Sequence, residues 1–172
     1  MPNMVHTAIL FKSYDKQQEL INKLKKSDDE FSFQWLIPAK DTYQKLELWG
    51  TKWDACNVDN NFEALEFDTP WNEPGIEIFE KMAELCPDIS FTARYAYDDY
   101  TNAGSYNYDS ENPGIVDSYE CEPYTDECDR FIKETFGYDP MEDSDGNEES
   151  CNEGNEGNED CCCGEDCSGE CN

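Results

Sequence analysis

Positive charge is scarce in this sequence. Twelve lysines and arginines face 41 aspartates and glutamates, with a single histidine besides, for a formal net charge of −29. A protein that grips DNA or RNA needs cations to displace the counterions around the phosphates. Direct nucleic-acid binding is therefore disfavoured, and so is attachment to an anionic membrane. No window approaches the ~18 consecutive apolar residues that a membrane span requires. The opening Met1-Pro2-Asn3-Met4-Val5-His6 has neither the basic region nor the apolar run of a secretory signal. The expected location is the cytoplasm of the cell that makes it. A phosphate-cradling glycine loop and a zinc-protease helix are both missing. The lone His6 has no evident nucleophile beside it in sequence, so it reads as a satisfied buried histidine rather than as part of a triad. No catalytic residue is nominated.

What the chain has in excess is carboxylate. Beyond Tyr138 there are 13 acidic residues and no base, so the first 138 residues keep 28 acids against all 12 bases, a net charge of −16. The natural electrostatic counterpart is a host or viral protein with a basic surface, including one whose basic groove normally holds nucleic acid. The plainer alternative is a solvated, solubilising surface.

The segment from Asp139 to Asn172 lacks aromatics and has almost no aliphatics, and such a chain cannot bury enough surface to offset its ordering entropy. It is expected to be a disordered, acidic, cysteine-rich tail on a folded body of residues 1–138. The tail holds six of the ten cysteines: Cys151, Cys161, Cys162, Cys163, Cys167 and Cys171. In a reducing compartment these are thiols or metal thiolates before they are structural disulfides. Six soft ligands in a flexible segment could wrap zinc or monovalent copper, although Cys-x-x-Cys pairs are absent. The alternative is a reactive tail prone to mixed disulfides. Cys86 and Cys128 fall on apolar stripes and read as small buried hydrophobes.

Hydrophobic periodicity organises the body. Val5 to Phe11 alternates as a strand with two fairly apolar faces, which suits a central position. Ser13 can cap a helix over Tyr14 to Lys26 that places Leu20, Ile21 and Leu24 on one side. The run from Phe31 to Ile37 is either a strand fragment or a packed loop. Tyr43 to Leu48 suggests a short helix, Lys52 to Val58 an extended segment, Asp59-Asn60-Asn61 a turn, and Leu65 with Phe67 a second strand, Phe62 lying out of phase. Pro74 is placed to open a helix with Ile76, Phe79, Met82, Ala83 and Cys86 on its apolar stripe, and Pro87 stops it. Ile89 to Tyr97 alternates as a further strand. The order strand, helix, strand, strand, helix, strand predicts an α+β, ferredoxin-like βαββαβ sandwich with both helices on one face of an antiparallel sheet. A Tyr/Asn-rich loop is expected over residues 98–119, as a long loop or irregular hairpin, followed by a C-terminal helix over 125–136 with Thr125 as its cap and Gly137 as its stop.

The run Trp49-Gly50-Thr51-Lys52-Trp53-Asp54-Ala55 is answered by Phe67-Asp68-Thr69-Pro70-Trp71. Trp49, Trp53 and Trp71 could supply stacking faces to a ligand, with Lys52 and Asp54 as polar handles. Alternatively the rings seal a sheet edge and cap the core. With the opening Met1-Pro2-Asn3 and the aromatic strand ending near Ala103-Gly104, this double motif resembles the Api92-like, YubB-type ferredoxin-like proteins over residues 1–104. The resemblance implies a ferredoxin-like domain and an accessory gene of a phage, plasmid or other mobile element, and it supplies no reaction. The resulting expectation is a non-enzymatic acidic interaction protein, in its sharper form a nucleic-acid mimic. The competing expectation is a thiolate metal-binding or redox protein working through its tail.

Overall fold

The computed structural model describes residues 3–24, 31–99 and 101–137. The tail, with its expected disorder and its candidate metal ligands Cys151, Cys161, Cys162, Cys163, Cys167 and Cys171, lies outside the described residues.

Strand β1 (Met4–Phe11) occupies the middle of the sheet because both of its faces can be buried. It pairs antiparallel with β3 (Leu65–Pro70) on one side and with β4 (Phe91–Tyr97) on the other. β2 (Cys56–Asn60) adds outside β3, and its pairing slips between Cys56 and Asp59, so the irregularity lies in β2. Phe62 belongs to the turn before β3 and is exposed, which accounts for its phase.

Helix α1 (Tyr14–Leu24) buries Gln17, Leu20, Ile21 and Leu24. The Gln17 amide donates to Asn60 Oδ1 at 2.6 Å and to the Asn61 and Ala64 carbonyls, locking α1 onto the β2–β3 turn. The Phe31 to Ile37 run contains a single helical turn, α2 (Phe33–Leu36), rather than a strand fragment. Next come α3 (Thr42–Trp49), capped by Asp41 and closed by Gly50, and α4 (Ile76–Leu85). Gly75 is the α4 N-cap, so Pro74 precedes the helix instead of opening it. Ile78, Phe79, Met82 and Ala83 point inward and meet Ile9, Leu65, Phe67 and Phe91 from the sheet.

β1, α1, β2, β3, α4 and β4 thus reproduce the ferredoxin-like βαββαβ arrangement. The sheet continues beyond it, in the order β2-β3-β1-β4-β5-β6. Of the two forms expected for the Tyr/Asn-rich stretch over 98–119, a long loop or an irregular hairpin, the structure has the hairpin: β5 (Ala103–Asp109) and β6 (Asn112–Glu120) pair antiparallel with slips in register and extend the sheet at the β4 edge. Tyr108 stacks on Phe91 with centroids 5.4 Å apart and Tyr106 on Tyr95 at 5.8 Å, so aromatic cross-strand pairs replace the missing aliphatics. Gly104 is required there, because a Cβ would lie 2.4 Å from the Tyr119 carbonyl oxygen and 2.7 Å from the Tyr95 hydroxyl.

Helix α5 (Asp126–Phe136) has the expected ends, with Thr125 Oγ1 accepting from Cys128 N and Gly137 in the left-handed region at φ 76. Along β4, Phe91 and Ala93 face the core under α1 and α4, whereas Ala96 joins a second cluster with Ala103, Cys121, Cys128 and Ile132. α5 therefore covers the opposite face of the sheet. No described helix is long and apolar enough to cross a membrane.

Candidate functional site

The tryptophan motif is a structural knot with a few side chains left outside. Trp49 is fully buried, donates its indole N–H to the Ile37 carbonyl at 2.8 Å, and meets Phe33 edge-on. Asp54 caps α2, accepting from the Phe33 amide and the Ser32 hydroxyl, each at 2.6 Å. Thr51 Oγ1 donates to the Pro70 carbonyl, Asn72 Nδ2 to the Gly50 carbonyl, and Gly75 N to the Trp49 carbonyl at 2.7 Å. Gly50, at φ 73, admits this approach because a Cβ there would stand 2.7 Å from Gly75 N. The two halves of the motif pair for reasons of folding. Of the candidate binding residues Trp49, Lys52, Trp53, Asp54 and Trp71, Trp49 serves the interior and Asp54 caps a helix. Lys52, Trp53 and Trp71 remain at the surface, the two rings 56% and 54% exposed.

A concave site lies on the other face of the sheet. A cleft of about 300 Å³ is lined by His6, Thr7, Asn57, Asp59, Glu66, Phe67, Asp68 and Phe136. Its position follows from strand alternation. Leu65, Phe67 and Thr69 of β3 turn to the core, so Glu66 and Asp68 turn away from it, and the β1–β3 register sets His6 directly opposite Asp68. His6 Nδ1 is 2.5 Å from Asp68 Oδ1. Asn57, at φ 51 beside the β2 irregularity, donates to Asp68 Oδ2 at 2.7 Å. Phe136, at the end of α5, brings its ring centroid to 6.4 Å from that of His6.

The hydrogen bond to Asp68 raises the His6 pKa above its ordinary value against the effect of burial, and the charges of Asp68 and Asp98 add to it. Burial pushes the Asp68 carboxyl upward, but the hydrogen bonds from His6 and Asn57 outweigh it and leave the group lowered. His6 is thus held toward its cationic form against an ionised Asp68. It is half-buried and ion-paired, where the sequence suggested a satisfied buried histidine. Cys56, whose Sγ donates to the Asp68 carbonyl, has its thiol pKa raised by burial and then by the Asp68 charge, the opposite of an activated nucleophile. Asp59 and Glu66 bring further negative charge.

Asn57, Asp59, Glu66 and Asp68 were not singled out from the sequence. The available signal was the alternation of β3 combined with the antiparallel pairing of β1 and β3, which together put His6 and the two β3 acids on one face. Among the described residues no group of three or more His, Cys, Asp or Glu side chains is placed to hold a metal ion.

A family model described as the ferredoxin-like domain in Api92-like protein matches residues 48–160. The match begins one residue before Trp49 and takes in β5, β6 and α5. Among solved structures, the crystal structure of a protein api92 from Yersinia pseudotuberculosis is similar at 22% identity with a TM-score of 0.39, covering 54% of this chain and 34% of that one. The chain therefore spans about a third of that protein's length. No curated protein matches.

Proposed function

The chain belongs to the family of Api92-like proteins with a ferredoxin-like domain, and from that premise we propose that it is a non-enzymatic interaction protein of a virus or mobile element that presents an acidic surface to a basic, nucleic-acid-handling protein. The observation that carries this is the cleft beside α5, whose lining includes Asp59, Glu66 and Asp68, the last paired with the single histidine His6. It is supported by the −16 charge of the first 138 residues. On the other face, Glu77, Glu80 and Glu84 of α4 line a second groove of about 260 Å³ with Ile37 and Lys81. At a rise of ~1.5 Å per residue these carboxylates recur about every 5 Å along the helix axis. One strand of DNA presents a charge every ~3.4 Å. The row is sparser than a phosphate backbone, and Lys81 offsets Glu84, yet its spacing lies within reach of lysine and arginine side chains arranged for DNA.

The test is binding of the full chain to purified DNA-binding proteins with basic grooves, at ionic strengths of about 50 and 300 mM, with and without competing duplex DNA. Affinity that falls steeply with salt and is lost to the duplex supports the proposal. Binding that ignores both, or no binding at low salt, overturns it. Replacing Asp59 and Glu66 by Lys then separates the cleft from the α4 row as the contact surface.

A further inference from the structure

The small core under α5 contains a pair of thiols that the acidic surface does not use. Cys121 directly follows β6 and Cys128 lies in the first turn of α5, and their sulfurs are 2.8 Å apart with no covalent bond between them. Both residues are buried, at 2% and 1% exposure. Cys121 Sγ also lies 3.0 Å from the Ala103 carbonyl oxygen. The connection between the cysteines is short and tied down: Thr125 Oγ1 donates to the Glu122 carbonyl and accepts from Cys128 N. Alanine or valine would fill the same volume, so packing alone does not call for two sulfurs. Burial, and then the hydrogen bond with Cys128, push the Cys121 thiol up to about 12, so the closed protein holds it protonated and inert.

We infer that Cys121 and Cys128 form a redox modification site, at which a hydroperoxide converts the dithiol into an intramolecular disulfide that fastens α5 to the sheet. The sulfurs need approach by only about 1 Å to reach bonding distance. Access comes through local opening of α5, the last described element, whose docking rests on the small cluster around Ile132. In the opened state one thiol loses its proton and the thiolate attacks the peroxide O–O bond. That bond breaks, the outer oxygen leaves as an alcohol or water, and a sulfenic acid remains. The second thiol attacks the sulfenic sulfur, the S–S bond forms, and water departs with the hydroxyl oxygen. Two thiols have lost two protons and two electrons, and one hydroperoxide has been reduced. A dithiol reductant reverses the step by exchange. Closing an eight-residue loop suppresses undocking of α5 on the order of 50-fold in the chain-entropy account.

The full chain provides its own assay. Trypsin cleaves after Arg94 and Arg130, and the peptide between contains Cys121 and Cys128 and no other cysteine. Reduced protein is treated with hydrogen peroxide, free thiols are alkylated, and the digest is analysed by mass spectrometry without reduction. The expected product is this peptide, unalkylated and lighter than its reduced form by two hydrogen atoms, with α5 amides exchanging tens of times more slowly than in reduced protein. Cys128→Ser, which keeps the Thr125 cap, must abolish that slowing. Recovery of the peptide with both thiols alkylated, its attachment to a tail cysteine instead, or unchanged α5 exchange after the bond has formed would each overturn the inference.

Discussion

Replacing Asp54 by Ala separates a binding role from a folding role within the tryptophan motif. Its carboxylate accepts from the Phe33 amide and the Ser32 hydroxyl at 2.6 Å, from the Ala55 amide at 2.9 Å, and from the Gln34 amide at 3.4 Å. A hydrogen bond to a charged acceptor contributes roughly 1.5–3 kcal/mol. The sum is smaller here, because Asp54 is partly open to water and Ser32 Oγ still accepts from Gln34 N at 3.1 Å. The expected loss is about 2–3 kcal/mol, at or just above the top of the range for a lost cap. For a body of this size that corresponds to a fall in Tm of about 8 °C. Asp54→Asn, which keeps an acceptor toward Phe33 N, should lose about half as much. Thermal unfolding followed by circular dichroism, with the urea midpoint as a second measure, provides the check. If Asp54→Ala melts within about 2 °C of the parent, the cap carries no weight and the carboxylate is available to a ligand after all.

Gly104→Ala should cost about 2–3 kcal/mol, because the new methyl meets a backbone carbonyl that cannot swing aside. The β5 and β6 amides should lose hydrogen-exchange protection before those of β1. Trp49→Phe should lower stability by about 2 kcal/mol through lost volume and an unpaired Ile37 carbonyl, whereas Trp53→Ala and Trp71→Ala should each change it by less than about 1 kcal/mol. Urea midpoints rank the three. The single histidine gives one imidazole signal by NMR, which should titrate above 6.5 in the parent and return toward 6.5 in Asp68→Asn. The raised His6 pKa contributes stability that is complete below about 6.5 and fades as pH rises through the folded value. The lowered Asp68 pKa contributes stability present above about 3.8 and lost as pH falls through its folded value. The stability difference between the parent and Asp68→Asn should therefore be greatest between those pH values, and a difference independent of pH would show that the pair does not form.

The βαββαβ core was legible because its elements obey simple periods: alternation in Val5 to Phe11 and Phe91 to Tyr97, and helical spacing in Leu20, Ile21 and Leu24. The ends of α5 were legible because Thr125 and Gly137 have definite backbone roles. β5 and β6 were legible only as a loop or an irregular hairpin because Asn, Ser, Gly and Asp make up half of them, residues with low strand propensity. Tyr106 and Tyr108, alternating with Ser105 and Asn107, were the signal, and they become persuasive only once Phe91 and Tyr95 are in place to receive the rings. The cleft was missed for a related reason. Its residues come from β1, β2, β3 and the end of α5, and no local window contains the register that joins His6 to Asp68. The tryptophan motif left two readings open in the sequence, since aromatic density alone does not distinguish a stacking surface from a point where two loops bond to each other.

The distribution of the few bases bears on the proposed interaction. Lys16 and Lys23 pair with Glu19 on α1, Lys81 with Glu84 on α4, and Lys12 with Asp109 at the sheet rim. These pairs lie at the surface and contribute little each, and none of them draws on Asp59 or Glu66 at the cleft. Crowded carboxylates repel one another in the free protein, so added salt should steady the fold by screening. In the proposed complex the same carboxylates face lysines and arginines, and added salt weakens that attraction. The two effects have opposite signs and arise from the same side chains. A partner that recognised Trp53 and Trp71 by apolar contact alone would leave affinity nearly indifferent to salt while the fold still gained from it, so measuring stability and affinity on one salt series separates charge recognition from aromatic docking.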